Sequence, residues 1–431
     1  MGQGLWIVAT LAQPAARVPP TDRQNPSFVA LYLADRQLQP RRQRFLHAWL
    51  YRKNYHHCFI TPMKKLLFSA VRVTQATLLV AASISGNYCG AASTDWIPPP
   101  DSLAQAYRGR LKIGAAIEPS QLDGADGALL ARQFNSVVAE NVMKPSRIQP
   151  REGEFNFGPA DAIVDFARRH NMAMRGHTLL WYRRTPDWFW SDRSGQPASR
   201  DLVLSRLRQH IESVVGRYKE NVYAWDVVNE VIDETQPNCL RNDQWFQVVG
   251  PDYVDLAFHY AHAADPHARL IMNEYATTQP EKRACLERVL KGMLARGVPV
   301  DGVGHQMHVN IYVPSVDAID QTLSVFANLG LENQITELDM SLYQRHAYFL
   351  SASSEQLLAE QGKRYKALMQ VFLAHRELTA VTWWGVADDH TSRNSGWDWW
   401  RRDQPLLFDK KQRPKAGYWS VLEAAEGRQS P

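Results

Sequence analysis

The chain has 431 residues, 45% of them apolar, which is enough for two or three average domains or one large α/β barrel and excludes a chain too polar to bury a core. Its formal net charge of +5 is unevenly placed, because residues 1–92 carry +9 and leave −4 on residues 93–431. A mildly acidic body without basic tracts gives no reason to expect nucleic acid as a partner.

Residues 1–62 are polar and arginine-rich around Arg41, Arg42 and Arg44, without a helix or strand period, and read as an unstructured or mis-assigned N-terminal extension. From Met63 the pattern changes: Lys64 and Lys65 lead into an apolar stretch through Ile84, followed by small residues at Gly90, Ala91 and Ala92. That is the form of a secretory signal peptide over 63–92, and Arg72 leaves the apolar run too short to span a bilayer comfortably. A secreted or periplasmic protein with no membrane span in the mature chain is therefore expected. Cys58 and Cys89 fall in these segments. The remaining pair, Cys239 and Cys285, has a separation that fits no metal-ligand spacing; export would permit a disulfide, and two buried thiols are an equal alternative.

Residues 93–431 repeat one theme, a short apolar strand followed by a segment of helical spacing. Strands are predicted at 111–117, 134–140, 173–181, 224–230, 270–275, 302–309, 335–340 and 380–388. Between them, segments such as 161–170, 201–219 and 356–375 place apolar residues every three or four positions, as helices covering a sheet require. Eight alternations without a glycine-rich phosphate turn predict a closed (β/α)8 TIM barrel, a single catalytic domain, rather than an open doubly wound sheet. In such a barrel the strand C-terminal ends converge on one mouth. The ends here are Glu140 and Asn141, His177 and Trp181, Asn229 and Glu230, Asn273 and Glu274, Gln306 and His308, Glu337 and Asp339, and Trp384.

So many polar groups buried together need a ligand or an internal network to satisfy them. His305 and His308 lie on one predicted strand, where alternation sends them to opposite faces, so they do not share an ion. A metal-dependent hydrolase would have to draw on His177, His308 and Asp339. Two carboxylates follow rigid apolar runs: Glu230, after YAWDVVN (223–229), and Glu337. Either alone reads as a helix cap or a salt bridge. Together, at ends of strands nearly opposite in the barrel and among tryptophans, they form the pair that flanks a glycosidic bond in glycoside hydrolysis.

Over nearly all of residues 95–427 the chain resembles glycoside hydrolase family 10, the endo-β-1,4-xylanases. The resemblance is carried by AENVMK (139–144), RGHTLLW (175–181), WDVVNE (225–230), DGVGHQMH (301–308), ITELD (335–339), WWGVAD (383–388) and PLLFD (405–409). It implies a retaining hydrolase of internal xylan bonds that needs no cofactor or metal, takes xylan or xylo-oligosaccharide as its partner, and acts as a monomer. It also implies Glu230 as acid and base and Glu337 as nucleophile. Asn229 would hold the sugar 2-hydroxyl, and His308, oriented by Asp339, would contact the nucleophile. Glu140, Asn141, Lys144, His177 and Gln306 would grip sugar hydroxyls, with Trp181 and Trp384 packing against pyranose faces. For the mechanism to run, Glu230 must begin protonated and Glu337 ionised.

Three departures stand out. After Trp181 the family pattern continues with His and, two residues later, Gln; here the residues are Tyr182-Arg183-Arg184, which weakens the second donor-side sugar site and leaves either a role for Arg184 toward acidic decorations or a solvated arginine pair. A second roof tryptophan is expected near Ser392 or Arg393, a space that Trp397, Trp399 or Trp400 would have to fill, unless the cleft is more open. Glu274 stands where Asp is common, and reads as tolerated support of the site. Trp188 and Trp190 read as packing.

Overall fold

The computed structural model describes residues 102–344, 354–394 and 402–427. The expected N-terminal extension and signal peptide, Cys58 and Cys89, and Trp397, Trp399 and Trp400 lie outside the described residues.

Nine strands form among the described residues: β1 (Lys112–Ile117), β2 (Ser136–Ala139), β3 (Ala173–Leu180), β4 (Val222–Asn229), β5 (Arg269–Glu274), β6 (Gly302–His305), β7 (His308–Asn310), β8 (Glu332–Ser341) and β9 (Leu378–Trp383). Strands β1 to β6 pair in sequence order, β1 also pairs β9, and β9 pairs β8. A further parallel pairing, Gly302 with Glu332 through His305 with Ile335, joins β6 to β8 and closes the ring. The eight-stranded parallel barrel is therefore as the alternation predicts, with β7 a short addition beside the end of β8.

The helices cover the ring with the faces their periodicity marks. Arg200–Tyr218 buries Val203, Leu207, Ile211, Val214, Val215 and Tyr218, and Ser199 caps it by accepting from the Leu202 amide at 3.3 Å. Gly158–Arg169 and Ser354–Ala374 likewise sit where the sequence places helices.

Two predicted strands differ. The run 302–309 is not continuous: Met307 adopts φ +57°, in the left-handed region, and splits it into β6 and β7. The Gln306 carbonyl accepts from the Glu337 amide at 3.1 Å, and the Gln306 amide donates to the Glu274 carbonyl at 3.0 Å, so neighbouring strands hold the kink. His305 and His308 are parted by that kink and not by strand alternation. The last strand ends at Trp383 rather than at 388; Asp388 opens a turn, where it accepts from the Leu406 amide at 2.9 Å and from Lys415 Nζ at 2.6 Å.

Inside the barrel, below the mouth, Arg175 and Asp226 form a fully buried two-pronged ion pair, and Arg175 Nε also donates to Gln334 Oε1 at 3.1 Å. Buried charges persist only when paired and hydrogen-bonded, and this pair satisfies that condition from three strands. Asp226 also bonds His177 Nδ1 at 2.9 Å, which fixes the imidazole just under the rim. Gly176 permits the close approach of β3 to β4, since a Cβ there would lie 2.1 Å from Trp225 Cε3.

Candidate active site

The strand β4 carries Glu230 to the mouth. Val227 and Val228 are fully buried and anchor the backbone, and Glu230 then turns to φ +60°. A non-glycine residue in that region costs on the order of 1 kcal/mol and persists where its surroundings over-determine it. Here the Glu230 amide donates to the Asn273 carbonyl at 3.0 Å, and its carbonyl accepts from Arg241 Nε at 2.9 Å. The next residues are clamped from beneath. Glu274 accepts from the Ile232 amide at 2.7 Å, Lys282 Nζ donates to the Ile232 carbonyl at 2.6 Å, and the two side chains pair at 3.0 Å. Burial, opposed by Lys282, pushes the Glu274 carboxyl up to about 7. Glu274 thus supports the site, as its position suggests. The loop is also tied covalently, because Cys239 and Cys285 form a disulfide to the helix Pro280–Ala295.

Across the mouth, β8 presents Glu337, which is buried. Its Oε1 accepts from Asn273 Nδ2 at 2.7 Å and its Oε2 from His308 Nε2 at 3.1 Å. His308 Nδ1 faces Asp339 Oδ2 at 3.0 Å, and Arg393 Nε donates to Asp339 Oδ1 at 2.8 Å. Burial alone would raise the Glu337 carboxyl; the hydrogen bonds from His308 and Asn273 and the adjacent positive charge bring it down to about 2. Burial likewise works against a charged His308, but Asp339 and Glu337 hold it up to about 10. Asp339 is held below the usual carboxylate range because His308 and Arg393 outweigh its burial. At neutral pH, then, Glu337 is an ionised carboxylate gripped by an imidazolium and an amide.

Three amides connect the two carboxyls. Asn273 Nδ2 contacts Asn229 Oδ1 at 2.8 Å as well as Glu337, and Thr336 Oγ1 donates to Asn273 Oδ1 at 2.6 Å. Gln306 Nε2 lies 3.3 Å from both Asn229 Oδ1 and Glu230 Oε1. Gly304 leaves room for this network, because a Cβ there would sit 2.4 Å from Asn273 Oδ1.

The remaining sequence-predicted residues gather on the other flank. Asn141 Nδ2 donates to Glu118 Oε1 at 2.6 Å, and Lys144 Nζ donates to Asn141 Oδ1 at 2.8 Å. Lys144 Nζ lies 5.2 Å from the Trp181 ring centre and 5.8 Å from that of Trp384. Burial lowers the Lys144 ammonium, and burial together with Glu118 raises the Glu140 carboxyl. The ring of His177 meets Trp384 edge-on at 5.3 Å. The Trp181 indole N–H is buried without a hydrogen-bond partner among the described residues. Trp188 and Trp190 pack, the first donating to the Gln149 carbonyl at 3.3 Å and the second lying edge-on to Trp245 at 4.9 Å.

A cavity of ≈540 Å³ opens beside Glu230, lined among others by Arg183, Tyr275, Gln306, His308 and Asn310. Arg183 and Arg184 are both exposed, and Arg183 Nε comes within 4.0 Å of Glu230 Oε2. Among the described residues, the space near residue 393 holds the Arg393 guanidinium, paired with Asp339. His177, His308 and Asp339 do not form a ligand set: His177 is engaged by Asp226, and both nitrogens of His308 by carboxylates. Sequence reasoning names Asn273 only as a strand end and does not assign Arg183, Arg393 or Tyr275 to the site. The signal for Asn273 was its register, directly opposite Asn229.

The sequence model of glycosyl hydrolase family 10 matches residues 102–424. An endo-1,4-beta-xylanase A from a Caldicellulosiruptor species is 41% identical over 339 residues, covering 76% of this chain and 48% of that protein. Endo-1,4-beta-xylanase B of Paenibacillus barcinonensis is 41% identical over 324 residues, covering 74% of this chain and 97% of that one. The chain therefore spans about half the length of the first relative and nearly all of the second. The crystal structure of xylanase B from Clostridium stercorarium F9 superimposes with a TM-score of 0.72 at 41% identity, covering 76% of this chain and 100% of that one.

Proposed function

The chain belongs to glycosyl hydrolase family 10, and from that membership we propose that it is a retaining endo-β-1,4-xylanase with Glu337 as nucleophile and Glu230 as acid and base. The observation that carries this reading is the opposite setting of two carboxyls at one barrel mouth. Glu337 is buried among donors that bring it down to about 2, whereas Glu230 stands at the rim of an open cavity.

In the first step the Glu337 carboxylate attacks the anomeric carbon while Glu230 gives its proton to the departing glycosidic oxygen. The bond to the leaving sugar breaks and a glycosyl ester on Glu337 forms. In the second step Glu230 removes a proton from water, the water oxygen attacks the anomeric carbon, and the ester bond returns its electron pair to Glu337. Asn273 and His308 hold the nucleophile's two oxygens throughout and accept the returning charge without rearrangement. Asn229, bonded to Asn273, presents its amide where the 2-hydroxyl of the bound sugar would lie.

We further propose export. The leader-like composition of 63–92 supports it, as does the Cys239–Cys285 disulfide, which suits an oxidising compartment.

The test is a chromogenic aryl β-xylobioside with the parent protein and with Glu337→Ala, followed by proton NMR of the first-formed product. Release of β-anomer by the parent and silence from the variant is the expected result. Silence from both would point instead to a barrel that binds glycan without cleaving it, and first-formed α-anomer would remove the retaining mechanism. Comparative turnover of xylan, glucuronoxylan and carboxymethyl cellulose fixes the polymer.

A further inference from the structure

The cavity beside Glu230 lies on the flank built by β4, β5 and β6, away from Lys144 and Trp384, which come from the β2 and β9 side. Because Glu230 is the group that protonates the departing oxygen, this flank receives the leaving part of the chain. Its wall is basic. Arg183 donates from Nε to Tyr182 Oη at 2.8 Å, its side chain is 64% exposed, and it lines the cavity. The Tyr182 ring carries two guanidinium groups, Arg183 at 5.5 Å and Arg241 at 4.8 Å from its centre. Arg241 is held by the Glu230 carbonyl and by Tyr275 Oη at 3.1 Å, so its charge is fixed in place.

Asp233 and Asp243 lie within electrostatic reach of Arg241, but among the described residues Glu230 is the one carboxylate lining the cavity itself. Glu274 is fully buried and paired with Lys282, and Glu230 must carry a proton when the glycosidic bond breaks. In the substrate complex, before that proton passes to the departing oxygen, Arg183 faces a neutral carboxyl; Tyr275, Thr278, Gln279 and Asn310 in the cavity wall are uncharged, and His308 there is cationic. A guanidinium that loses its anionic neighbour in the reactive state, beside a space large enough for a sugar, favours an anion supplied by the substrate.

We infer that Arg183 forms an anion-recognising subsite on the leaving-group side, one that takes the carboxylate of a uronic-acid-type branch on the xylan chain. The inference rests on the hydrolase reading above and narrows its substrate class to acidic, branched xylan. It also places the charge recognition on Arg183 rather than on Arg184, the neighbour for which the sequence leaves such a role open. Arg184 instead lies near Lys144, whose proton it helps to displace.

The experiment compares kcat/KM on glucuronoxylan with that on the same polymer after chemical reduction of its carboxyls, which removes the charge and leaves the branching. The parent protein should favour the native polymer about three- to five-fold at low salt, the range of a partly exposed ion pair, and lose most of that preference at 0.5 M NaCl. Arg183→Ser should bring the ratio close to one, and Arg183→Lys should keep part of it. An equal ratio in parent and Arg183→Ser, or no preference in the parent, overturns the subsite while leaving xylan hydrolysis standing. Failure of the parent to cleave either polymer would instead remove the hydrolase reading, and the subsite with it.

Discussion

Replacing His308 by alanine isolates the device that keeps the nucleophile ionised. In the parent, Glu337 sits at about 2 against an ordinary value of 4.5, a difference worth about 3 kcal/mol at 1.36 kcal/mol per unit. The substitution removes a hydrogen bond and a positive charge, leaves the burial, and exposes Glu337 to an Asp339 no longer neutralised by the imidazolium. The Asn273 bond and the charge of His177 survive and still lower the carboxyl, so it should rise toward its ordinary value, which sets the upper limit of the effect. The sign follows from the role: a nucleophile must be ionised, so a higher value moves the acid limb of the rate profile upward. Taking 2 for the parent and 4.5 for the variant, the ionised fraction at pH 3 falls about thirty-fold, and at pH 4 about four-fold, beyond any deficit at neutral pH. The assay is kcat/KM on an aryl β-xylobioside between pH 3 and 8, with far-UV circular dichroism at each pH to show that both proteins stay folded. A variant slower by the same factor at every pH would refute the reasoning, since it would show that His308 places Glu337 without charging it.

Two other perturbations probe the scaffold. Gly304→Ala puts a methyl group 2.4 Å from Asn273 Oδ1, so Asn273 must shift from Glu337; a loss of about 1–3 kcal/mol in stability and a fall in kcat larger than the change in KM are expected by urea melts and steady-state kinetics. Unchanged kcat would show that the amide adapts freely. Cys285→Ser opens a disulfide between cysteines 46 residues apart in sequence, for which the chain-entropy relation gives about 4 kcal/mol of lost stability, measurable as a lower urea midpoint than that of the unreduced parent. Equal midpoints under oxidising conditions would mean that the bond closes nothing the loop does not already close.

The barrel and its two carboxyls were legible because they rest on local signals. Apolar runs such as Ala224 to Val228 define buried strands, and the residue just past each run must lie at the mouth. What escaped depends on contacts between distant segments. Met307 breaks its strand without a glycine or asparagine to announce it; the cause is the pull of Glu274 and Glu337 backbone groups on Gln306. Arg393 reaches Asp339 from a loop 54 residues away, and no period or spacing encodes that meeting. The pairing of Cys239 with Cys285 was open for the same reason. The sequence singled out Arg184, or else a solvated pair, and only the turn after Trp181 shows that Arg183 is the one that comes close to Glu230.

The run of amides from Asn273 through Asn229 to Gln306 has a consequence for how variants combine. Each amide serves two neighbours, so disturbing one is felt at the nucleophile and at the proton donor alike. Paired substitutions along this run should therefore depart from the product of their separate effects, with the second change adding less than it does alone. Mutational surveys that score positions singly would overcount the contribution of this stretch and credit several side chains with what is one shared arrangement.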